Sequence, residues 1–385
     1  MKRTGKFWKK LTQLCALVMA GSLIFAVGCG GDGDDKGETE KHEAFIEELG
    51  GCSDTYKGEV SEYTYETKEL AAKAFVEEQV VGDNDVTIVK TESKGELSST
   101  QIEALNIPEA EKTDIVSVEE VEVEYALESS TYMSKTQSAS PNKIVKVYII
   151  KYPNTFKYYS PAPVTGATVT RSYYDSIFDT EKYQNCTMTS TMEMSTETTT
   201  LTLQGKKTTT TSQKTTIFAQ YSEDKIFQQR TIETTENGET TTSSESIYIE
   251  KVDNNILCYS NKTGAWTLAG YIGFSQLEDL MPFADSYLDY TYFTKTEFGC
   301  EIGQDNMMRY IRETFENDSL VMEYLEQMDI SAITKYYVAE GVLSGMRQDM
   351  TLSLSEGIVS ASVISKVETI CKDYGTTVVE RPAME

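Results

Sequence analysis

Histidine is almost absent from this chain of 385 residues, because His42 is the only one. Catalytic arrangements of the Ser-His-Asp or Cys-His kind need an imidazole base held rigidly against its nucleophile. His42 follows a run of Gly, Asp, Glu and Lys residues that favours a flexible segment. A metal site built on imidazoles also needs more than one histidine. The sequence therefore predicts a protein that is not an enzyme and that uses no metal or cofactor.

Basic residues are also scarce, since 35 Lys and Arg stand against 61 Asp and Glu, and the formal charge is -26. Contacts with phosphate groups need clustered Lys and Arg, so we expect no nucleic-acid partner. The same balance disfavours a protein that lies flat on anionic lipid. With so many acidic residues, pairs of carboxylates arise by chance and do not indicate a glycoside hydrolase.

Cysteines are few beyond the first thirty residues, and none of them is spaced as CxxC, the spacing of zinc and redox motifs. They are Cys52, Cys186, Cys258, Cys300 and Cys371. Five cysteines cannot all pair within one chain. One disulfide in the second half and a set of free, buried thiols are both consistent with the sequence.

The first 28 residues have the layout of a secretory signal. A basic start with Lys2 and Arg3 precedes an apolar stretch from Leu11 to Val27 and then small residues. A spanning helix needs roughly 20 mostly apolar residues, and this stretch is shorter and ends at glycines. We therefore expect a signal peptide at residues 1–28. Its removal would take away five basic residues and change the formal charge from -26 to -31.

Ala26-Val27-Gly28-Cys29 resembles the lipobox of bacterial lipoproteins. The resemblance implies that the Cys29 thiol carries a diacylglyceryl group and that cleavage precedes Cys29, whose amine can also be acylated. Two acyl chains give stable anchoring, at about 0.8 kcal/mol per buried methylene. Residues 29–42 would then form a flexible acidic leash, because they offer no apolar core. The expected location is the extracytoplasmic face of the cell membrane.

Residues 43–165 combine a helical pattern with alternating strand patterns, and they predict a small α+β domain that ends near Pro161. Apolar residues at helical spacing predict a helix over Lys68–Val81. Valines that alternate with Glu120, Glu122 and Glu124 indicate a sheet with one buried face and one solvent-exposed face. The predicted strands are Val86–Lys90, Ile115–Leu127, Ile144–Tyr152 and Phe156–Tyr159.

A threonine-rich segment follows, with 20 threonines between Thr187 and Thr242. The branched Cβ of threonine favours strands, and Asn237-Gly238 is a strong hairpin signal. A disordered Thr-rich stalk would usually contain proline, and none occurs between Pro163 and Pro282. The segment therefore predicts an antiparallel meander. Its turns are expected at Gly205, Ser222–Asp224, Asn237-Gly238, Asp253–Asn255 and Lys262–Gly264.

A helical insert is expected at residues 275–328. Ser275-Gln276-Leu277-Glu278 matches a capping box. A second helical pattern runs from about Asn306 to Met328, with a break expected at Asn317-Asp318. Strand patterns then return to the end of the chain. They cover Ile333–Val338, the segment around Met346–Leu354, Ile358–Ile370 and a short strand at Thr376–Val379.

Three segments behind the lipobox are similar in pattern to the LolA/LppX-like lipoproteins. They are CTMTSTMEMS from Cys186, IYIEKVDNNILCYSNKTGAW from Ile247, and SVISKVETICKDYGTTVVERP from Ser362. For residues 166–385 the resemblance implies a curved antiparallel sheet, or half-barrel, covered by helices around an apolar cavity. It also implies binding or transport of a lipid or another apolar molecule. The expected fold class is α+β, mostly β.

Methionines recur on one face of these strands and on the insert. Methionine is unbranched and polarizable, which suits a surface that accommodates varied apolar ligands, although an ordinary core has the same pattern. The candidate cavity lining is Met188, Met192, Met194, Leu280, Met281, Met346, Met350 and Leu352. The alternative function is a surface scaffold that binds an unspecified protein through a sheet edge or a tyrosine patch, without a cavity.

Overall fold

The computed structural model describes residues 44–383, except 83–85, 106, 128–141, 203, 223, 237, 253–254, 273–287, 316–321, 323–324, 326 and 357–358. The expected signal peptide and leash, with Cys29 and His42, lie outside the described residues, as do Leu280 and Met281. Among the helices that are described, none is long and apolar enough to cross a membrane. The chain divides into two compact units. The small unit comprises Asp54–Ile177 and Asp289–Glu297, and the large unit comprises the other described residues.

The small unit contains a five-stranded antiparallel sheet in the order β1-β5-β4-β3-β2. Its strands are β1 (Glu59–Val60), β2 (Val86–Glu96), β3 (Ser117–Leu127), β4 (Lys143–Lys151) and β5 (Phe156–Ser160). Its helices are α1 (Lys68–Val76), continued by a π-helical turn at Glu77–Val81, then α2 (Ser99–Ala104), α3 (Glu109–Lys112) and α4 (Arg171–Ile177). The predicted helix and four predicted strands are confirmed, whereas β1, α2, α3 and α4 were not predicted.

Helix α1 begins at a side-chain cap, since the Thr67 hydroxyl accepts a hydrogen bond from the Leu70 amide. Its buried face, which includes Ala72 and Phe75, packs on valines of β3 and β4. The opposite face of β3 carries the glutamates, and Lys94 lies 2.6 Å from Glu122. The predicted sheet with one buried face and one solvent-exposed face is therefore confirmed. Bulges in the edge strand β2 interrupt its pairing with β3, and such bulges protect an edge from further strand addition.

The second sheet has eleven described strands and is open, in the order β11-β10-β9-β8-β7-β6-β16-β15-β14-β13-β12. Ten of them belong to the large unit. The first half comprises β6 (Cys186–Thr202), β7 (Gly205–Ser222), β8 (Lys225–Glu236), β9 (Glu239–Val252), β10 (Asn255–Ser260) and β11 (Thr267–Ile272). The second half comprises β12 (Thr294–Lys295), β13 (Gly299–Ile302), β14 (Met328–Ala339), β15 (Val342–Glu356) and β16 (Val359–Lys372).

The threonine-rich meander is confirmed, because each expected turn lies at the junction of two consecutive strands of β6–β11. Gly238 has a φ of 85°, which only glycine adopts readily and which the hairpin turn requires. The two large antiparallel sheets make the protein mostly β, as expected.

The second helical segment of the expected insert forms helix α5 (Gln304–Phe315), and Met322 and Leu325 further on are also helical. The capping box at Ser275–Glu278 lies outside the described residues. The strands β12 and β13, which precede α5, were not predicted. Aromatic residues and threonines before α5 favour extended structure, and the pairing of β13 with β14 stabilises it.

One secondary-structure prediction is wrong, because the expected strand at Thr376–Val379 is absent from the described fold. The Asn185 side chain takes the place of a neighbouring strand there. Its Oδ1 accepts a hydrogen bond from the Thr377 amide at 2.8 Å, and its Nδ2 donates to the Thr377 carbonyl at 3.1 Å. A side-chain amide can satisfy the backbone in this way without a sheet ladder.

Gly299 provides a test of the β13–β14 pairing. A Cβ added at Gly299 would lie 2.3 Å from the Tyr336 carbonyl oxygen, so we expect Gly299→Ala to destabilise the large unit by about 2–3 kcal/mol. Gly264→Ala is the matched control, because its φ is also positive but nothing lies within 4 Å of the added Cβ. Urea unfolding followed by Trp266 fluorescence measures both. Equal midpoints for the two variants would contradict the tight contact.

Candidate functional site

Six of the eight predicted cavity residues share one face of the large sheet, which we call the methionine face. The register between β6 and β16 pairs Met188 with Cys371 and Met192 with Val367. Ser365 lies between Met194 on one side and Met350 on the other. Strands β6, β15 and β16 therefore bring methionines that are far apart in the sequence into one continuous surface.

The methionine face is closely packed over these three strands. Met188, Met192, Met346, Met350 and Leu352 are each at most 5 % exposed, and Met194 is half-buried. Helix α5 contacts β14, the strand next to β15. Its residues Met307 and Ile311 are buried. The other two predicted lining residues, Leu280 and Met281, lie outside the described residues.

Polar side chains also lie on the methionine face, and most of them are paired. The Ser190 and Thr369 hydroxyls are 2.9 Å apart, and Gln348 Nε2 donates to Thr334 Oγ1 at 3.0 Å. Paired groups of this kind are what a buried surface normally contains.

Thr215 and Arg230 are the exceptions on this face. Thr215 on β7 lies opposite Met192 and is 1 % exposed, and its Oγ1 has no hydrogen-bond partner among the described residues. Arg230 on β8 is a diagonal neighbour of Thr215, because Thr215 pairs with Ile232. Its Nε is buried without a partner, and the guanidinium forms no ion pair with the described residues. Glu245 is its cross-strand neighbour on β9, but the Glu245 carboxylate lies beside Lys262 at 3.9 Å.

Thr215 and Arg230 were not predicted from the sequence. Alternation shows which residues share a face within β7 or within β8, but the register between β6, β7 and β8 is needed to place these two side chains on the methionine face.

The opposite face of the large sheet is charged. Arg347 lies 3.1 Å from Asp349 and 3.8 Å from Glu368, and Lys214 lies 2.9 Å from Glu193. Burial raises the pKa of Glu368, while the Arg347 guanidinium partly offsets that rise. The central strands are therefore amphipathic, with the methionines on one face and these ion pairs on the other, while Arg230 is a charged residue on the methionine face.

The small unit has a separate open cleft of about 450 Å³. Charged side chains dominate its lining, among them Glu66, Lys68, Glu96, Glu119 and Lys151. Opposite charges pair within it, since Lys68 Nζ lies 3.1 Å from Glu119 Oε2. Across the described parts of both units, no three His, Cys, Asp or Glu side chains are placed to hold a metal ion.

No protein-family model and no curated protein sequence matches this chain. The resemblance to the LolA/LppX-like lipoproteins therefore stays a prediction. The function is therefore inferred from the chain's own residues, above all from the buried methionines and polar atoms of the methionine face.

Proposed function

We propose that this chain is a non-catalytic bacterial lipoprotein, anchored through Cys29 to the extracytoplasmic face of the cell membrane, that binds a lipid-like molecule on its methionine face. The corresponding fold is the LolA/LppX-like one, a curved half-barrel sheet with helices over the apolar side. The observation that carries the proposal is the combination of methionine and aliphatic side chains with two buried polar atoms on one face, Thr215 Oγ1 and Arg230 Nε, which have no hydrogen-bond partner among the described residues.

The unpaired groups favour a ligand over an ordinary core. A buried polar atom without a partner costs about 1–3 kcal/mol, so cores rarely contain one. An amphiphile would satisfy both requirements of this face. Its alkyl chain would lie against Met192 and its neighbours, and an oxygen of its head group would accept hydrogen bonds from Thr215 and Arg230.

Native mass spectrometry of protein purified without detergent tests the proposal. We expect a bound lipid-like molecule, or uptake of oleate and of oleyl alcohol by the protein after delipidation. A protein that neither carries nor takes up either compound would rule out ligand binding on this face and leave the methionines as ordinary core.

Arg230 allows a sharper test. Arg230→Met should weaken oleate binding at least about tenfold, because a hydrogen bond to a charged group contributes about 1.5–3 kcal/mol. Binding of oleyl alcohol should change little, since its head is neutral. Arg312→Met, at an exposed position of α5, is the control and should bind both compounds as the wild type does. Equal oleate affinity in both variants would exclude Arg230 from the head-group site.

The alternative is a scaffold that binds another protein, and the edge strand β11 favours it. This strand ends the described sheet, and Leu268 and Tyr271 on it are 50 % and 69 % exposed. A partner strand could pair with such an edge. A pull-down from envelope extracts would support the alternative if it recovered one stoichiometric partner that Tyr271→Lys abolished, together with no bound lipid.

A further inference from the structure

Two of the five cysteines come together in the large unit. Cys186 begins β6 and Cys371 lies near the end of β16, and these strands are antiparallel neighbours. Cys371 pairs with Met188, so Cys186 is its diagonal neighbour on the same face of the sheet. Both side chains are buried, and burial together with the nearby Cys186 thiol raises the pKa of Cys371.

Aromatic side chains enclose this pair. The Cys186 thiol donates to the Tyr183 carbonyl at 3.5 Å, and the Tyr374 hydroxyl donates to the Leu343 carbonyl at 2.6 Å. The Tyr183 and Tyr374 rings meet edge to face at 6.0 Å. Because of this raised pKa, Cys371 is held mainly as the thiol at neutral pH in the folded state.

An open cleft of about 520 Å³ reaches this end of the sheet. Cys371 and Tyr374 line it together with Gly51, Cys52 and Asp373. The thiol pair therefore lies next to solvent-accessible space, although Cys371 itself is only 2 % exposed.

We propose that Cys186 and Cys371 form the disulfide of this protein when it meets a disulfide oxidant of the glutathione or dithiol-protein class. The Cys371 thiolate attacks one sulfur of the oxidant, which forms a mixed disulfide and releases one oxidant thiolate. The Cys186 thiolate then attacks the Cys371 sulfur, which forms the Sγ–Sγ bond and releases the second thiolate. Two electrons pass to the oxidant, and the two protons of the cysteines end on its thiols.

Such a bond would link β6 to β16, its neighbour in the sheet and the last strand in the chain. These strands are far apart in the sequence, so the closed loop is long, and long loops gain most when a crosslink restricts the unfolded chain. The physiological oxidant depends on the proposed extracytoplasmic location. The test below supplies the oxidant in vitro, so its outcome does not depend on the membrane anchor or on ligand binding.

The experiment incubates the reduced full-length protein with oxidised glutathione, blocks free thiols under denaturing conditions and maps the peptides by mass spectrometry without reduction. We expect a linked Cys186–Cys371 peptide and blocked Cys258 and Cys300. The oxidised protein should melt roughly 5–10 °C higher than the reduced protein. This shift should disappear in Cys371→Ala and persist in the control Cys258→Ala.

Two results would overturn the proposal. One is complete blocking of both Cys186 and Cys371 after oxidation of the folded protein. The other is a dominant linkage of Cys371 to Cys52, the second cysteine of the cleft. Circular dichroism of the reduced variants distinguishes a lost crosslink from a lost fold, and Cys186→Ala provides an independent second variant.

Discussion

Cys29→Ala will move the processed chain from the membrane fraction to the soluble fraction. The proposed anchor consists entirely of acyl chains on Cys29, and loss of two chains removes many buried methylenes at about 0.8 kcal/mol each. None of the described helices could replace the anchor by spanning a membrane. Fractionation of cells after a high-salt wash, with immunoblotting of each fraction, measures the distribution.

The control for this experiment is Cys15→Ala, which removes a cysteine from the expected signal peptide and should leave the chain membrane-bound. The mass of the wild-type protein should also exceed that of residues 29–385 by a diacylglyceryl group. A Cys29→Ala chain that has lost residues 1–28 but still sediments with membranes would contradict the proposed anchor. An uncleaved chain must be scored separately, because its apolar segment from Leu11 to Val27 could itself hold it in the membrane.

Local sequence information was sufficient for the meander. Asn237-Gly238 and the other turn residues fix where each hairpin reverses, and threonine favours the strands between them, so β6–β11 could be predicted segment by segment. The helix Lys68–Val81 was equally local. In contrast, β13 was missed because its four residues are stabilised by pairing with β14, which no local pattern reports.

The site was predictable only in part for the same reason. Alternation within one strand shows that Met188 and Met192 share a face, but it cannot show which strand lies beside them. That Ser365 lies between Met194 and Met350 follows from long-range register. The diagonal contact of Cys186 and Cys371 depends on the same register, so the sequence left the pairing of the cysteines open.

Long-range contacts also produce the second large effect that we predict, in the small unit. Asp54 Oδ2 lies 2.7 Å from Lys295 Nζ and accepts a hydrogen bond from the Tyr173 hydroxyl at 2.5 Å. The Lys295 ammonium lies 5.3 Å from the centre of the Tyr173 ring. The two charged side chains are only 7 % and 11 % exposed, so neither can be solvated by water if the other is removed.

Lys295→Met should therefore destabilise the small unit by about 3–5 kcal/mol, because it leaves the Asp54 carboxylate buried without a positive partner. Hydrogen exchange of the β3 and β4 amides, read by mass spectrometry, reports this unit separately from the large one. Lys73→Met is the control, since its ion pair with Glu77 is exposed on both sides, at 46 % and 41 %, and should contribute less than about 1 kcal/mol. The double variant Asp54→Asn with Lys295→Met should recover part of the loss, because it no longer buries an unpaired charge. Equal exchange in Lys295→Met and Lys73→Met would mean that water reaches Asp54 and that the pair is not buried as the distances and exposures indicate.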